Sequence, residues 1–542
     1  MLAAGGALGV AALAGCMGTS EEGTERAIVD PEDYVYDREH PDDEAAARES
    51  TLTYVQELER GENFDLVVTN DAYSAQVTGL IYDGLYEYTN ELELEPKVAV
   101  DFPEVERDDT RYLYEIQEGI EFHNGEELTA SDVVYTLLAL AREEGPSQGQ
   151  YTFVEDAAVI DDYQLQIDLF HPYGPWELAM QGIPVMPESA RSGDPEAFNR
   201  DPVGSGPFVW SDFAFNEFVE LERNEAYWDE PTPYVKRIRF EDATDSANRV
   251  AQIRAGDADV IGSVPNNDWG TLDSDEDIRL HIRESPRVDY INFNCREGAG
   301  TADPNVRRGI AHAFSMTDYV ETHLNNTAGV LRTPTAPITN ELWDFPLEEW
   351  AELYPEYDPD RAKELLDEHA PADWSPTILA PNDERAALAE RIANRLDEIG
   401  YELSVRTMGF GTLLENTIYS DGDPEEYELY IMGWTGGPDP DLYLYDNIHE
   451  SQAGVNQGVF YEGSEGFHDT IIAARESVDR DEREGYYIEL IEEMLEELPL
   501  LPAYSNHTTV ATRKRVKDFH AHPNVHGNPN LVSSEGNVWV DD

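Results

Sequence analysis

Three imidazoles lie within seven residues near the C-terminus, at His520, His522 and His526. In extended chain His520 and His522 share a face, and imidazole suits a borderline metal such as nickel. His123 has no second ligand at helical or hairpin spacing and reads as a structural residue. The other stretch with chemistry to offer is Tyr427–Asp441, YELYIMGWTGGPDPD, which joins an aromatic plate at Trp434 to carboxylates at Asp439 and Asp441. The usual catalytic signatures are missing: there is no His-Glu-x-x-His, no Gly-rich phosphate loop, and Gly204-Ser205-Gly206 lacks nucleophile-elbow spacing. A carboxylate pair, as a secreted hydrolase would use, is not excluded in a chain with 113 acids.

These residues need a sheet to hold them. Tyr427–Met432 alternates and reads as a strand that Gly433 ends, so Trp434 and the acids would sit in a loop past its carboxyl end. Gly436 and Gly437 can take φ > 0 there, and Pro438 and Pro440 stiffen the loop. Such strand ends are where open α/β sheets bind ligands. Upstream, Thr51–Gln56 reads as a strand, Asn63–Asn70 as another, and Asp71–Ser74 as a loop. Asp303-Pro304 opens a helix with Val306, Ile310, Ala313 and Phe314 on one face, and Asp358-Pro359 opens another with Ala362, Leu365 and Leu366 inward. Glu384–Ile399 and Phe410–Tyr419 read as helices around a strand at Tyr401–Met408, and a helix through about Leu498 precedes extended Leu500–Tyr504. This β-α-β-α order predicts an α/β lobe with parallel or mixed strands.

At 542 residues the chain exceeds one hydrophobic core, so two or three domains are expected. It carries 113 acidic against 36 basic residues, a net charge of −77, with only five lysines. A surface of hydrated carboxylates suits a salt-loving source, where ionic strength screens self-repulsion. It also argues against nucleic acid as a partner, which needs a basic face. The first fifteen residues are small and apolar and too short to span a membrane, and they lead to Leu13-Ala14-Gly15-Cys16. That segment resembles the lipobox of secreted lipoproteins, in which the cysteine is lipidated, although a basic n-region is missing. Residues 17–50 are acidic and read as a disordered tether. Cys295, the other thiol, follows Ile291-Asn292-Phe293-Asn294 and reads as a half-buried strand-end residue.

Several motifs occur in one order. LIYDGLYEY begins at Leu80, and YLYEIQEGIEFHNGEELTASDVVYTLLAL begins at Tyr112. In the second, Asn124-Gly125 is a tight-turn pair and Thr129 with Asp132 forms a capping box that starts a helix. PVGSGPF (202–208), LERNEAYW (221–228) and RVAQIRAGDADV (249–260) follow. The series resembles the family 5 extracellular solute-binding proteins of ABC importers for peptides, nickel and related solutes, over nearly all of residues 51–542. The resemblance implies an α/β, two-lobed, periplasmic-binding-protein-like (type II) fold with an extra α/β subdomain inserted in the first lobe. Lobe I would comprise 51–78, 200–295 and 505–542, the insert 79–199 and lobe II 296–504, behind a signal peptide ending at Cys16.

The resemblance also implies a monomeric receptor, lipid-anchored on the extracytoplasmic face of the membrane, that binds a small solute, a short peptide first, and hands it to permease subunits. It implies no chemistry and no cofactor. A halophilic archaeal source fits the acidity. In peptide-binding members the loop resembling Gly433–Asp441 presents an aromatic to the ligand and an acid to its ammonium group. That makes Trp434 the aromatic and Asp439 or Asp441 the acid, although dipeptide-type members place their acid where this chain has Gly436-Gly437-Pro438. Tyr73 and Asn294 are further candidate contacts, and Arg332 is a candidate partner for a ligand carboxylate. Nickel-carrying relatives keep His520, His522 and His526 in view.

Overall fold

The computed structural model describes residues 39–541 apart from 57–62, 70, 91, 146–150, 182, 525–526 and 534–535. The lipobox at Cys16, most of the expected tether and His526 therefore lie outside the described residues. Residues 39–50, expected as tether, are tied to the globule: Trp539 Nε1 donates to the Glu39 carbonyl (2.9 Å), and Lys236 pairs with Glu49 (2.6 Å).

Two sheets carry the architecture. The first contains β1 (Thr51–Gln56), β2 (Phe208–Ala214), β3 (Phe218–Arg223), β4 (Arg237–Asp242), β5 (Val260–Gly262) and β6 (Ile278–Arg283). The second contains β7 (Arg287–Phe293), β8 (Ala328–Val330), β9 (Thr377–Pro381), β10 (Ser404–Met408), β11 (Leu429–Thr435) and β12 (Leu500–Asn506). The chain then returns to the first sheet as β13 (Thr508–Arg513). The strand orders are β6-β13-β5-β1-β4-β3-β2 and β8-β12-β7-β11-β9-β10. The chain thus passes between sheets twice, at Glu284–Pro286 and at His507, and lobe II is residues 287–506. The expected boundary at 295/296 moves because Arg287–Phe293 is hydrogen-bonded along its whole length to β11 and at Asp289–Asn292 to β12.

Register fixes which edge of each sheet meets the other lobe. In lobe I, Gln56 pairs with Asp242, and Gly262 pairs with Val510 near the start of β13, so the carboxyl ends of β1, β4 and β5 lie at the crossings. In lobe II, Arg287 pairs with Thr435, and β11 runs parallel to β9 and β10 parallel to β9. Parallel strands of both lobes therefore point their carboxyl ends at the hinge, the place where α/β sheets bind ligands.

The insert adds a four-stranded sheet between residues 104 and 169, and its apolar residues share one core with Leu52 and Tyr54 of β1. Two helices matter for it. The first, α1 (Ala72–Ile81), begins at Asp71, whose Oδ1 accepts from the backbone of Tyr73 and Ser74. Asp71–Ser74, expected as a loop, is thus a helix start. The second, α2 (Ala130–Arg142), has the expected capping box at Thr129 and Asp132 and buries Val133, Leu137 and Leu140. Residues 63–69, expected as strand, form a turn whose Phe64 and Val67 enter the core, while the Asn199 carboxamide accepts from the backbone of Phe64 and Asp65. In lobe II, α3 (Asp441–Ile448), α4 (Phe467–Glu476) and α5 (Arg480–Glu497) stack on one face of the sheet with Tyr430 and Met432.

Candidate functional site

The hinge is short and braced. Ser505 Oγ, beside one crossing, donates to the Arg287 carbonyl at the other (2.7 Å). At a distance from it the insert docks on lobe II. The Gly174 N–H donates to the Arg475 carbonyl (2.7 Å), the Tyr173 ring lies 4.8 Å from the Arg475 guanidinium, and His171 lies 3.7 Å from Glu476. A Cβ at Gly174 would collide with the Ser477 carbonyl and the Arg483 side chain, so only glycine permits this approach. Between hinge and docking point lies the gap the two lobes enclose. On the lobe I side a cavity of about 420 Å³ is lined by Gln76, Asp83, Tyr88, Lys97 and Asn530, among others. Burial raises the pKa of the Tyr88 phenol, with the nearby charge of Asp439 adding to it, so this wall reaches lobe II.

Trp434 sits at the hinge end of lobe II. It belongs to β11 rather than to the following loop, since the strand continues through Gly433 to Thr435 opposite Arg287–Asp289. Its half-buried indole packs on the same face as Tyr430 and Met432, and Nε1 donates to the Leu442 carbonyl of α3 (2.6 Å). The loop glycines serve close approach and not the left-handed backbone expected of them: neither has positive φ, and a Cβ at Gly436 would enter the Tyr443 ring.

The two acids of the loop face back into their own lobe. Asp439 accepts from Arg483 Nη2 at both carboxylate oxygens (2.7 and 2.8 Å), with side chains only 4% and 7% exposed. Asp441 is fully buried against Arg475. Burial pushes the Asp441 carboxyl up to about 6 against the pull of Arg475, and burial with the charge of Asp441 pushes Asp446 up to about 7. Arg475 is itself held between Tyr173 of lobe I and Tyr445 of α3, 3.7 Å away.

The remaining candidates divide by position. Tyr73 is half-buried in the first turn of α1, near the Tyr54 phenol of β1. Asn294 lies beyond the end of β7 remote from the hinge and is fully buried; its Nδ2 donates to the Gly422 and Tyr427 carbonyls (3.0 and 3.2 Å) and its Oδ1 accepts from Arg296 N–H. It ties strand ends together and does not reach the gap. Arg332 also lies away from the hinge, because Ala328 of β8 pairs with Asn506 and the chain then runs outward; its guanidinium is 5.6 Å from the Tyr354 ring. His520 and His522 are buried, the first 3.6 Å from Asp518 and the second bonded locally to Asn524. Among the described residues no group of three or more potential ligands could hold a metal ion. His123 accepts at Nδ1 from Gly204 N–H (3.3 Å) and donates from Nε2 to the Gly206 carbonyl (3.0 Å), and burial lowers its pKa.

Sequence reasoning missed a second charged group at the hinge end of lobe II. Arg287, the first residue of β7, donates from Nη2 to Asp289 Oδ1 (3.2 Å), and Arg385 Nη1 lies 3.9 Å from the same oxygen. Arg385 is anchored by Asp383 (3.0 Å from Nε), and Asn506 Nδ2 donates to Asp289 Oδ2 (3.3 Å). Gly433, opposite Asp289, leaves room for this pair, since a Cβ there would strike both Asp289 and Arg287. An Arg-x-Asp alternation in a strand was the one available signal, and it is unremarkable alone.

Residues 93–455 match the family described as bacterial extracellular solute-binding proteins, family 5. The chain belongs to that family. The oligopeptide-binding protein AppA of Bacillus subtilis is 25% identical over 491 residues, which is 85% of this chain and 87% of AppA. The dipeptide-binding protein of Escherichia coli is 24% identical, over 88% of this chain and 94% of its own. The crystal structure of AppA with a nonapeptide superposes with a TM-score of 0.74 at 21% identity, covering 91% of this chain and all of AppA. The two-lobed type II fold is shared. As a family 5 chain, the protein brings its separated motifs to one point: Asp83 of the YDGL segment accepts from Tyr227 Oη (3.0 Å), Ser205 Oγ (3.1 Å) and Trp228 Nε1 (2.8 Å). The motifs are the joints of lobe I.

Proposed function

We propose that this protein is an extracytoplasmic solute receptor that closes its lobes on a short peptide and delivers it, unreacted, to the permease of an ABC importer. The carrying observation is the two-crossing hinge, with strand ends and Trp434 at its mouth, in a chain of the solute-binding family. Peptide is favoured among solutes because relatives matching most of the chain are named for oligopeptides and dipeptides. In this reading Trp434 is the aromatic wall and Tyr73 faces it from lobe I. Asp439 and Asp441 act at one remove, by holding Arg483 and Arg475 where the insert docks. Closure is the signal the permease reads.

Anchoring at Cys16, a monomeric state and a halophilic source belong to the same proposal, supported by the lipobox-like run and the charge of −77. The test is calorimetric titration in molar KCl with a tripeptide pool, followed by mass analysis of the recovered ligand. A 1:1 complex with peptide of unchanged mass is expected. Cleaved peptide would make the protein a hydrolase. Heat with Ni²⁺ or its histidine complex but none with peptide would favour nickel, as in the structurally similar NikZ of Campylobacter jejuni solved with Ni(L-His) (TM-score 0.71, 19% identity, 88% of this chain and 98% of NikZ).

A further inference from the structure

The chain has few cations to place, yet two guanidinium groups converge at the hinge end of lobe II. Their meeting point is Asp289, which is fully buried, accepts from Arg287 and Asn506, and lies close to Arg385. A buried carboxylate is costly to desolvate, and arginine partners offset that cost with little net gain in stability. What the arrangement secures is orientation: Asp289 and Asp383 hold two like charges side by side at the rim.

The two arginines differ in what they have left to give. Arg385 is 11% exposed and spends Nε and Nη2 on Asp383. Arg287 is 34% exposed and makes one side-chain hydrogen bond, to Asp289; its other N–H groups have no protein acceptor among the described residues. An oriented guanidinium with open donors, backed by a second one, is a receptor for a carboxylate, which it binds through paired charge-assisted hydrogen bonds. The acids of the loop after Trp434 offer no matching site for a cation, because Asp439 and Asp441 are buried against Arg483 and Arg475.

We propose that Arg287, oriented by Asp289 and backed by Arg385, binds a carboxylate of the solute, and that the cleft requires this carboxylate but no free ammonium group. Only the identity of the solute rests on the peptide reading. The test compares a tripeptide pool with free ends, the same pool amidated at the C-terminus, the pool acetylated at the N-terminus, and glutarate, on wild type, Arg287→Ala and Arg287→Lys. Thermal melting first establishes that the variants are folded. On wild type the acetylated pool should bind within about threefold of the free pool and the amidated pool at least about thirtyfold more weakly, as expected for loss of a bidentate charged pair. Arg287→Ala should bind free and amidated pools alike, and Arg287→Lys should recover part of the preference. Free and amidated pools binding wild type equally, or a preference that survives in Arg287→Ala, would overturn the carboxylate site and leave the peptide reading standing. Glutarate binding that is lost in Arg287→Ala, with no peptide bound, would do the reverse. Binding of neither peptide nor glutarate would overturn both.

Discussion

Lobe II carries two arginine–aspartate sets at the edge that meets lobe I, and they are built for different work. Behind Trp434, Arg483 and Arg475 are held by the buried carboxylates of Asp439 and Asp441, and α4 and α5 present them to Tyr173 and Gly174 of the insert. On the opposite face of the same sheet, Arg287 and Arg385 share Asp289, Asp383 engages Arg385, and Arg287 keeps donors open. The first set is buried, so it fixes shape; in the second Arg287 is 34% exposed, so it can receive a ligand. Residue type does not separate them, and the exposure of Arg287 does.

The sharpest way to break the comparison is to remove one member of the closed set. Arg483→Ala leaves Asp439 buried without its cation and should destabilise the fold by about 3–5 kcal/mol, measured by urea unfolding, whereas Arg287→Ala leaves Asp289 with Arg385 and Asn506 beside it and should cost less. Next in size is Trp434→Ala, expected to weaken solute binding by about 2 kcal/mol in titration calorimetry through lost aromatic burial. Gly174→Val obstructs the docking point without touching the solute and should lower affinity about tenfold, roughly 1.4 kcal/mol, with the melting temperature held.

The smallest effect concerns pH. Asp446 has its folded pKa raised to about 7 by burial and by Asp441, so its contribution to stability is full below the ordinary carboxylate range and is lost as pH rises through about 7. Asp446→Asn should therefore flatten the fall in melting temperature between about pH 4 and 7 and melt higher than wild type at pH 8.

How far the sequence foretold this depends on the range of the interaction. The capping box at Thr129, the helix starts at Asp303-Pro304 and Asp358-Pro359, and the α/β order are local, and all are read from neighbouring residues. The end of β11 was misplaced because Gly433 looks like a terminator, whereas its missing Cβ accommodates a charged pair on the adjacent strand. Asp439 and Asp441 looked free because their partners come from α4 and α5, more than thirty residues on. The crossing at Glu284–Pro286 leaves no mark in the neighbouring residues, and only the pairing of β7 with β11 and β12 reveals the change of lobe before residue 295. Arg287 and Arg385 are nearly a hundred residues apart and meet only across that sheet.

The central claim is that the two lobes shut around an unreacted solute by bending at residues 284–286 and 507. Small-angle X-ray scattering of the protein in molar KCl, titrated with the tripeptide pool, tests it most directly. The account predicts a radius of gyration that falls as peptide saturates and recovers when peptide is dialysed away. A radius unchanged at saturating peptide would contradict it.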